Sequence, residues 1–426
     1  MKKIYDVLII GGGPAGLAAG IEAIKTGAKD ILIIERDSVL GGILPQCIHN
    51  GFGSVIFKKD YPGPQYAQNF IDEVDKLGIE VLLDTMVLDI TPDRRIFATN
   101  SIDGYLELEG KSIVLAMGCR ERTRSQIRIP GTRAAGIFTA GTVQRFVNIE
   151  GYMPGNKFVI LGSGDIGMIM ARRLKLEGAS VEKVIEIMPF LTGLRRNYVQ
   201  CLQDFGIPLV LQHTIKRIIG KNRVEAVEII KVDDNFNMIN GTEEVIACDS
   251  LLLSVGLIPE NELSKKASIA IDNITGGPYV DENMETNING IFAAGNVVNI
   301  HDLVDYVTEA GYIAGRNAAL HALHHQRRGL NRISIERGKN VNNVVPQFIN
   351  LDLIEDKSFL LQLRVNKVFD KKVKVEITED DGTIIATYRE NYARPAEMIA
   401  LKIKGDKLSH VVSKNCYKLK VNVTEI

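Results

Sequence analysis

Three things are scarce in this chain of 426 residues: neighbouring cysteines, net charge and long apolar runs. The five cysteines stand at 47, 119, 201, 248 and 416, and no two lie closer than 47 positions. That spacing excludes CxxC redox pairs, zinc knuckles and clustered thiolate ligands. Five cysteines in a chain of this length do not make a disulfide scaffold, which points to a reducing, cytoplasmic setting. Fifty-one basic against 52 acidic side chains leave a formal charge of −1, so no overall field holds a phosphate backbone or an anionic membrane. The apolar stretch after Met-Lys-Lys is interrupted by Gly11, Gly12, Gly13, Pro14 and Gly16, and no run reaches the roughly 18 residues of a membrane span. No metal site is expected, and His321, His324 and His325 read as one exposed helix end. What is present, 45% hydrophobic and 24% charged residues, belongs to a folded globular chain, at about 150 residues per domain two or three domains.

Ile4 to Ile10 reads as a strand buried on both faces of a parallel sheet, and Gly11-Gly12-Gly13-Pro14-Ala15-Gly16 follows at once. Taken as G-x-G-x-x-G, Gly11 allows the tight turn, Gly13 lets backbone approach a pyrophosphate, and Gly16 lets the next helix pack on the strand. That helix, about Pro14 to Thr26, aims its N-terminal N–H groups at the anion. A second buried strand, Ile31 to Ile34, ends in Glu35, 19 residues after Gly16, where a carboxylate can accept hydrogen bonds from ribose hydroxyls.

The same unit recurs. An apolar strand from Lys157 to Leu161 leads into Gly162-Ser163-Gly164-Asp165-Ile166-Gly167 and a helical stretch through Leu176, and a strand around Val181 to Ile187 places Glu186 19 residues after Gly167. Two fingerprints imply two dinucleotides. Glu186 repels a 2′-phosphate and favours NADH, while Arg195 and Arg196 are near enough in sequence to keep NADPH open.

On these residues the chain resembles the two-dinucleotide flavoproteins of the pyridine nucleotide-disulfide oxidoreductase superfamily. The resemblance implies an α/β fold of two Rossmann-like domains, with FAD on the first fingerprint and NAD(P)H on the second, which is inserted in the FAD domain. Gly41-Gly42, Ala116-Met117-Gly118 and Gly290-Ile291-Phe292-Ala293-Ala294-Gly295-Asn296 resemble further family motifs, with Met117 and Asn296 where threonine and aspartate are usual. The implied cofactor-binding residues are Gly11, Gly13, Pro14, Ala15, Gly16, Glu35, Arg36, Gly41, Gly42, Ala116, Gly118, Gly162, Gly164, Asp165, Ile166, Gly167, Glu186, Gly256, Gly295 and Asn296. Gln46-Cys47-Ile48-His49-Asn50-Gly51-Phe52-Gly53, Cys119-Arg120-Glu121-Arg122-Thr123-Arg124 and His301-Asp302-Leu303-Val304-Asp305 are similar to the flavoprotein subunits encoded with anaerobic glycerol-3-phosphate dehydrogenases. More distantly they resemble the α-subunits of opine, proline and sarcosine dehydrogenases. These likenesses imply a partner dehydrogenase subunit, a small cysteine-rich protein and an oligomer.

Catalysis in such a protein belongs to the flavin, and the chain holds the nicotinamide against it and tunes the ring. Cys47, His49 and His301 are the candidate catalytic side chains. By resemblance His301 starts a helix, running through Ala319, whose N-terminus faces the flavin edge that gains negative charge on reduction. Cys47, 12 positions after Glu35, lies where NADH oxidases and single-cysteine disulfide reductases carry a redox thiol, so a stand-alone enzyme of that kind is the alternative. Burial as a small apolar side chain is the competing reading of Cys47. A third reading is an assembly subunit whose cofactors are only structural.

Beyond Arg327-Arg328-Gly329 the pattern alternates: Val373-x-Val375-x-Ile377, then Asp381-Gly382, then Ile384-Ile385, a hairpin signal, and Leu419-x-Val421-x-Val423 at the end. The expected layout is an FAD domain in residues 1–122 and 256–328, an NAD(P) domain in 123–255, and a small β-rich domain in 335–426 that docks a partner.

Overall fold

A run of β-branched and aliphatic residues, interrupted only by Tyr5 and Asp6, makes Ile4–Ile10 the middle of a parallel sheet, where the strand is covered on both faces. The structure is a computed structural model that describes residues 4–324, 332–351, 358–408 and 418–426. The chain divides into two compact units, one formed by residues 1–45, 50–119 and 259–426, the other by 46–49 and 120–258.

In the first unit the sheet runs Glu80–Leu82, Ile31–Ile34, Ile4–Ile10, Gly104–Leu115, with Ile291–Ala293 also parallel to Gly104–Leu115. Ile9 pairs Ile33 on one side and Val114 on the other, so the C-terminal ends of three strands lie level. Gly104–Leu115 extends beyond the parallel part to pair antiparallel with Arg95–Asn100, which pairs Met86–Ile90.

The helix Pro14–Thr26 begins with proline at its first position and ends at Gly27, whose φ of 111° is left-handed. It packs against the helix Val304–His324 through small residues four apart on each partner. A Cβ on Gly311 would come within 2.3 Å of the Ala15 carbonyl oxygen, and one on Gly315 within 2.1 Å of that of Ala19. The long helix runs past Ala319, and His321 is buried edge-on to Phe292 at 6.2 Å, not on an exposed helix end as the polar composition of that stretch suggests. Ala318, Ala319 and Ala322 around it are buried too, so this last turn is still core. His324 is exposed, and His325 lies outside the described residues.

The second unit repeats the plan. Its parallel sheet runs Ile137–Thr139, Ser250–Leu253, Lys157–Leu161, Ser180–Ile185, Leu209–Val210, with the helix Asp165–Leu176 following the Lys157–Leu161 strand. A three-stranded antiparallel sheet, His213–Ile219, Ala226–Lys231 and Glu244–Ala247, belongs to the same unit.

The chain's C-terminal part is β-rich, and its apolar side chains form their own cluster. A five-stranded sheet carries Val373–Glu379 and Ile384–Glu390 as the hairpin the alternation implies, with Gly382 at φ 87° in the turn. A three-stranded sheet, Val341–Val345, Ser358–Val365 and Ile399–Lys404, completes it. Arg327, Arg328, Gly329 and Cys416 lie outside the described residues. No helix among the described residues is long and apolar enough to cross a membrane.

Candidate functional site

The first fingerprint is a backbone cradle that tolerates no side chains at its turns. Gly11 has φ 107°, and a Cβ on it would lie 2.4 Å from the Ala116 carbonyl oxygen; one on Gly16 would lie 1.8 Å from that of Gly11. At Gly13, by contrast, a Cβ would meet only Gly42 Cα at 3.8 Å, so this face is open where a pyrophosphate must approach. Among the described residues no side chain caps the helix Pro14–Thr26, which leaves its first N–H groups to a ligand. Gly41, with φ 106°, and Gly42, with φ 59°, bring the next loop over Gly13, and the Gly41 N–H donates to the Gly12 carbonyl at 2.8 Å. Gly118, with φ 70°, has open space where a Cβ would be.

Glu35 is buried at the end of the Ile31–Ile34 strand. Its Oε2 accepts from the Gly12 N–H at 2.7 Å and its Oε1 from the Asp37 N–H at 2.9 Å. One donor on each oxygen fixes the carboxylate and leaves an acceptor position on each for ribose hydroxyls. Arg36, next to it, is exposed. These features fit a flavin dinucleotide.

The second fingerprint has the same turns. A Cβ on Gly162 would lie 2.0 Å from the Ser254 carbonyl oxygen, and one on Gly167 would lie 2.6 Å from Ser254 Cβ. Gly256, with φ 97°, accepts from the Arg122 N–H at 3.0 Å through its carbonyl. Asp165, first in the helix, accepts through Oδ1 from the Leu194 N–H at 2.8 Å and from Asn197 Nδ2 at 2.6 Å, which ties the start of the short helix Arg195–Tyr198 to the start of its own. Glu186 is held more tightly than Glu35. Its Oε1 accepts from the Met188 N–H at 2.9 Å, while its Oε2 accepts from the Ser163 N–H at 2.8 Å, Ser163 Oγ at 2.6 Å and Thr192 Oγ1 at 2.8 Å. Beside it opens a cleft of about 290 Å³ lined by Met188, Pro189, Phe190 and Phe236 together with Gln212, Asp233 and Asp234. A flat, partly polar ring fits such walls.

The three candidate catalytic residues are not brought together in one unit. Cys47 and His49 belong to the second unit and His301 to the first. Gln46 Nε2 donates to the Gly141 carbonyl and to Gln144 Oε1, both at 3.0 Å, and the Cys47 thiol points at the same Gln144 oxygen, 3.7 Å away. Burial pushes the Cys47 thiol up to about 12. Such a thiol stays protonated at neutral pH and is a poor nucleophile. Cys47, Cys119, Cys201 and Cys248 form no disulfide among the described residues. Burial, with Arg196 and Arg172 nearby, pushes the His49 imidazole down to about 4.

His301 follows the late glycine motif. Gly295, with φ 77°, is wedged so that a Cβ would lie 2.9 Å from Val307 and 3.0 Å from the Ala15 side chain. Asn296 then turns its Oδ1 back onto the His301 N–H at 3.0 Å and His301 Nδ1 at 3.2 Å, and its Nδ2 to Cys119 Sγ at 3.6 Å. Burial outweighs the neighbouring hydrogen bonds and, with Arg364, pushes the imidazole down to about 4. The Asp305 carboxylate, in the first turn of the long helix, accepts from the Gly53 N–H at 3.2 Å and the Ile56 N–H at 3.0 Å.

Sequence reasoning missed what holds this loop. The three-stranded C-terminal sheet takes hold of four consecutive residues. Asn343 Nδ2 donates to Asn299 Oδ1 at 3.0 Å; Arg364 Nη2 donates to the Ile300 carbonyl at 3.3 Å and to Asp302 Oδ1 at 3.1 Å; Gln362 Oε1 meets His301 Nε2 at 3.2 Å. The sequence carries no signal for it: in Ser358–Val365, Phe359, Leu361, Leu363 and Val365 take one face, and the polar Gln362 and Arg364 read as an ordinary solvent face although both are largely buried.

The chain is similar to known proteins in sequence and in fold. The family model described as pyridine nucleotide-disulphide oxidoreductase matches residues 5–329. An opine oxidase subunit of Agrobacterium tumefaciens (strain Ach5) is 26% identical over 344 residues, covering 76% of this chain and 66% of its own. An alkyl hydroperoxide reductase subunit of Staphylococcus aureus (strain MRSA252) is 27% identical over 327 residues, covering 75% of this chain and 59% of its own. The chain thus spans about two thirds or less of the length of these curated relatives. Thioredoxin reductase of Lactococcus lactis has the same fold over 75% of this chain and 99% of its own, with a TM-score of 0.61 at 23% identity.

Proposed function

Because the chain belongs to the pyridine nucleotide-disulphide oxidoreductase family, whose members are FAD-dependent and use NAD(P)H, we propose that it is the electron-transfer subunit of a larger dehydrogenase. FAD, when bound, supplies the two-electron chemistry and the nicotinamide supplies or accepts the hydride. The first cradle, Gly11 to Gly16 with Glu35, Gly41, Gly42 and Gly118, holds FAD; the second, Gly162 to Gly167 with Glu186, holds the nicotinamide dinucleotide.

The observation that carries the proposal is the state of Cys47. Two complete dinucleotide cradles stand in a chain whose best-placed thiol is buried and pushed up to about 12. Electrons that enter have no reactive thiol to go to at that position, so they leave to a partner or to a small acceptor. Similarity to a protein described as one subunit of an oxidase supports this. The partner suggested by the sequence resemblance is a glycerol-3-phosphate or opine dehydrogenase-like flavoprotein together with a small cysteine-rich protein. NADH is the preferred nicotinamide, because the buried Glu186 carboxylate opposes a 2′-phosphate and the cleft that follows it has mostly apolar walls.

An anaerobic titration with NADH, followed by loss of the oxidised flavin absorbance, tests the reading. Bleaching complete at one equivalent per FAD leaves the flavin as the only two-electron centre. Two equivalents put a thiol back into the mechanism and favour the stand-alone disulfide reductase. Turnover that rises when the dehydrogenase partner is added supports that partner, and turnover indifferent to it refutes that part.

A further inference from the structure

His301 lies between two amide side chains, and the placement of their atoms cannot satisfy a neutral ring on both sides. Asn296 is fixed: its Oδ1 accepts from the His301 backbone N–H at 3.0 Å while its Nδ2 faces Cys119 Sγ at 3.6 Å. The oxygen therefore faces His301 Nδ1, 3.2 Å away, and the ring proton belongs on Nδ1. Nε2 is then a bare acceptor, and 3.2 Å from it stands Gln362 Oε1, a second acceptor. Meanwhile Gln362 Nε2 is buried with no hydrogen-bond partner among the described residues, and Gln362 is 1% exposed.

A half-turn of the Gln362 amide about its last side-chain bond exchanges its two ends without changing its shape. The NH2 then donates to Nε2, and the carbonyl oxygen takes the place that had no partner. A carbonyl left short of one hydrogen bond is tolerated better in protein interiors than an orphaned N–H. The other way to satisfy Nε2 against an oxygen is to protonate it, which makes the ring a cation. The charged group acting on the ring is Arg364, on the same strand as Gln362 and itself paired with Asp302. Burial and the Arg364 charge both act against the cation.

We propose that Gln362, contributed by the C-terminal β domain, is a positioning residue for His301: its amide NH2 caps Nε2 and holds the imidazole as the neutral Nδ1–H tautomer. The proposal rests on the reading above only in taking the loop after Asn296 to serve the flavin. With both ring nitrogens engaged, His301 relays no proton of its own. It transmits the position of the C-terminal strand to Asn296, through the Nδ1 contact, and the chain Cys119, Asn296, His301, Gln362 is an uncharged hydrogen-bonded series.

The test uses the full-length protein labelled with nitrogen-15 in histidine, read by long-range proton–nitrogen correlation, with the His301 signals identified by their loss in His301→Gln. The expected pattern at pH 7 is one protonated and one bare nitrogen with the proton on Nδ1. In Gln362→Glu the new carboxylate accepts from Nε2, so the ring binds its second proton about ten to a thousand times more tightly, and the doubly protonated pattern appears at higher pH than in the parent. In Gln362→Met, which keeps the volume and removes the donor, the two tautomers mix. A parent protein with the proton on Nε2, or doubly protonated at pH 7, overturns the proposal, as does an unchanged pattern in Gln362→Glu. If Gln362→Glu does not fold, the parent and Gln362→Met spectra decide alone. Reduction of the flavin by NADH is measured separately, so failure of that reading leaves these spectra unaffected, and the reverse also holds.

Discussion

Replacing Arg364 by alanine should release the His301 loop. The Arg364 side chain is 14% exposed and its partner Asp302 7%, and the guanidinium donates to Asp302 Oδ1 at 3.1 Å and to the carbonyls of Ile300, Pro395 and Ala396 at 3.3, 2.9 and 2.6 Å. Removing it leaves one buried carboxylate and three carbonyls without that donor. Breaking a buried ion pair on one side costs about 3–5 kcal/mol. Folded proteins open in parts, so the cost is best read as hydrogen exchange of the amides in residues 299–302 and 358–365. At about 1.4 kcal/mol per factor of ten, the lower figure is an acceleration of at least about a hundredfold. Arg364→Lys keeps the charge but cannot reach four acceptors with one ammonium, so it should fall between the two. Arg364→Met with Asp302→Leu removes both charges together and should recover most of the protection, because an apolar pair of similar volume replaces a buried ion pair at little cost. Exchange in Arg364→Ala within about fivefold of the parent, or a double variant no better protected than the single one, would refute the reasoning.

Further outcomes follow from other parts of the molecule. Gly16→Ala should lose FAD at purification, since the new Cβ would lie 1.8 Å from the Gly11 carbonyl oxygen; the flavin-to-protein ratio reads it. With its thiol near 12, Cys47 is ionised to about one part in ten thousand at pH 8, so iodoacetamide should leave it unmodified in native protein and alkylate it in urea, as peptide mass mapping will show. Glu186→Gln keeps the shape and removes the charge, and the NADH-to-NADPH ratio of kcat/KM should fall by roughly tenfold, or about 1.4 kcal/mol. His49 and His301 have folded values near 4, below the usual 6.5, so the unfolded chain binds protons first and both residues take stability away as pH falls from about 6.5 towards 4. Glu282, pushed up to about 7 by burial and by Asp281, acts in the opposite sense, adding stability as pH falls from about 7 towards 4.5. The urea midpoint of His49→Asn should therefore drop less on acidification than that of the parent, and that of Glu282→Gln should drop more.

Much of the fold was legible because its signals are local. A buried strand, a glycine turn and a helix beginning with Pro14 or Asp165 lie consecutively in sequence, and the glycines sit where a Cβ would strike backbone at 2.4, 1.8 and 2.0 Å for Gly11, Gly16 and Gly162. The surroundings of Cys47 and His301 were not legible, because their partners come from far along the chain. Gln144 is 97 positions from Cys47 and Gln362 is 61 from His301. His321 was misread for the opposite reason: a polar-looking cluster at a helix end says nothing of the Phe292 ring, which the sheet brings over it.

The two fingerprints show where motif reading stops. Each has its acid 19 residues after its last glycine, and in each the acid accepts from a backbone N–H of the glycine turn. Position 12 is glycine and position 163 is serine, and that serine, together with Thr192, changes the carboxylate's task. Ser163 Oγ donates into Glu186 Oε2 and also accepts from the Thr192 N–H at 3.0 Å, while Thr192 Oγ1 donates to the same oxygen, so Oε2 has three donors and no room for a fourth. Glu35 Oε2 has one. The first acid can therefore bind ribose hydroxyls directly on either oxygen, whereas the second keeps acceptor room only on Oε1 and otherwise presents its charge through two hydroxyls. Direct grip suits a cofactor that stays bound through many turnovers, and a carboxylate already satisfied by its own chain suits a dinucleotide that must leave after each one.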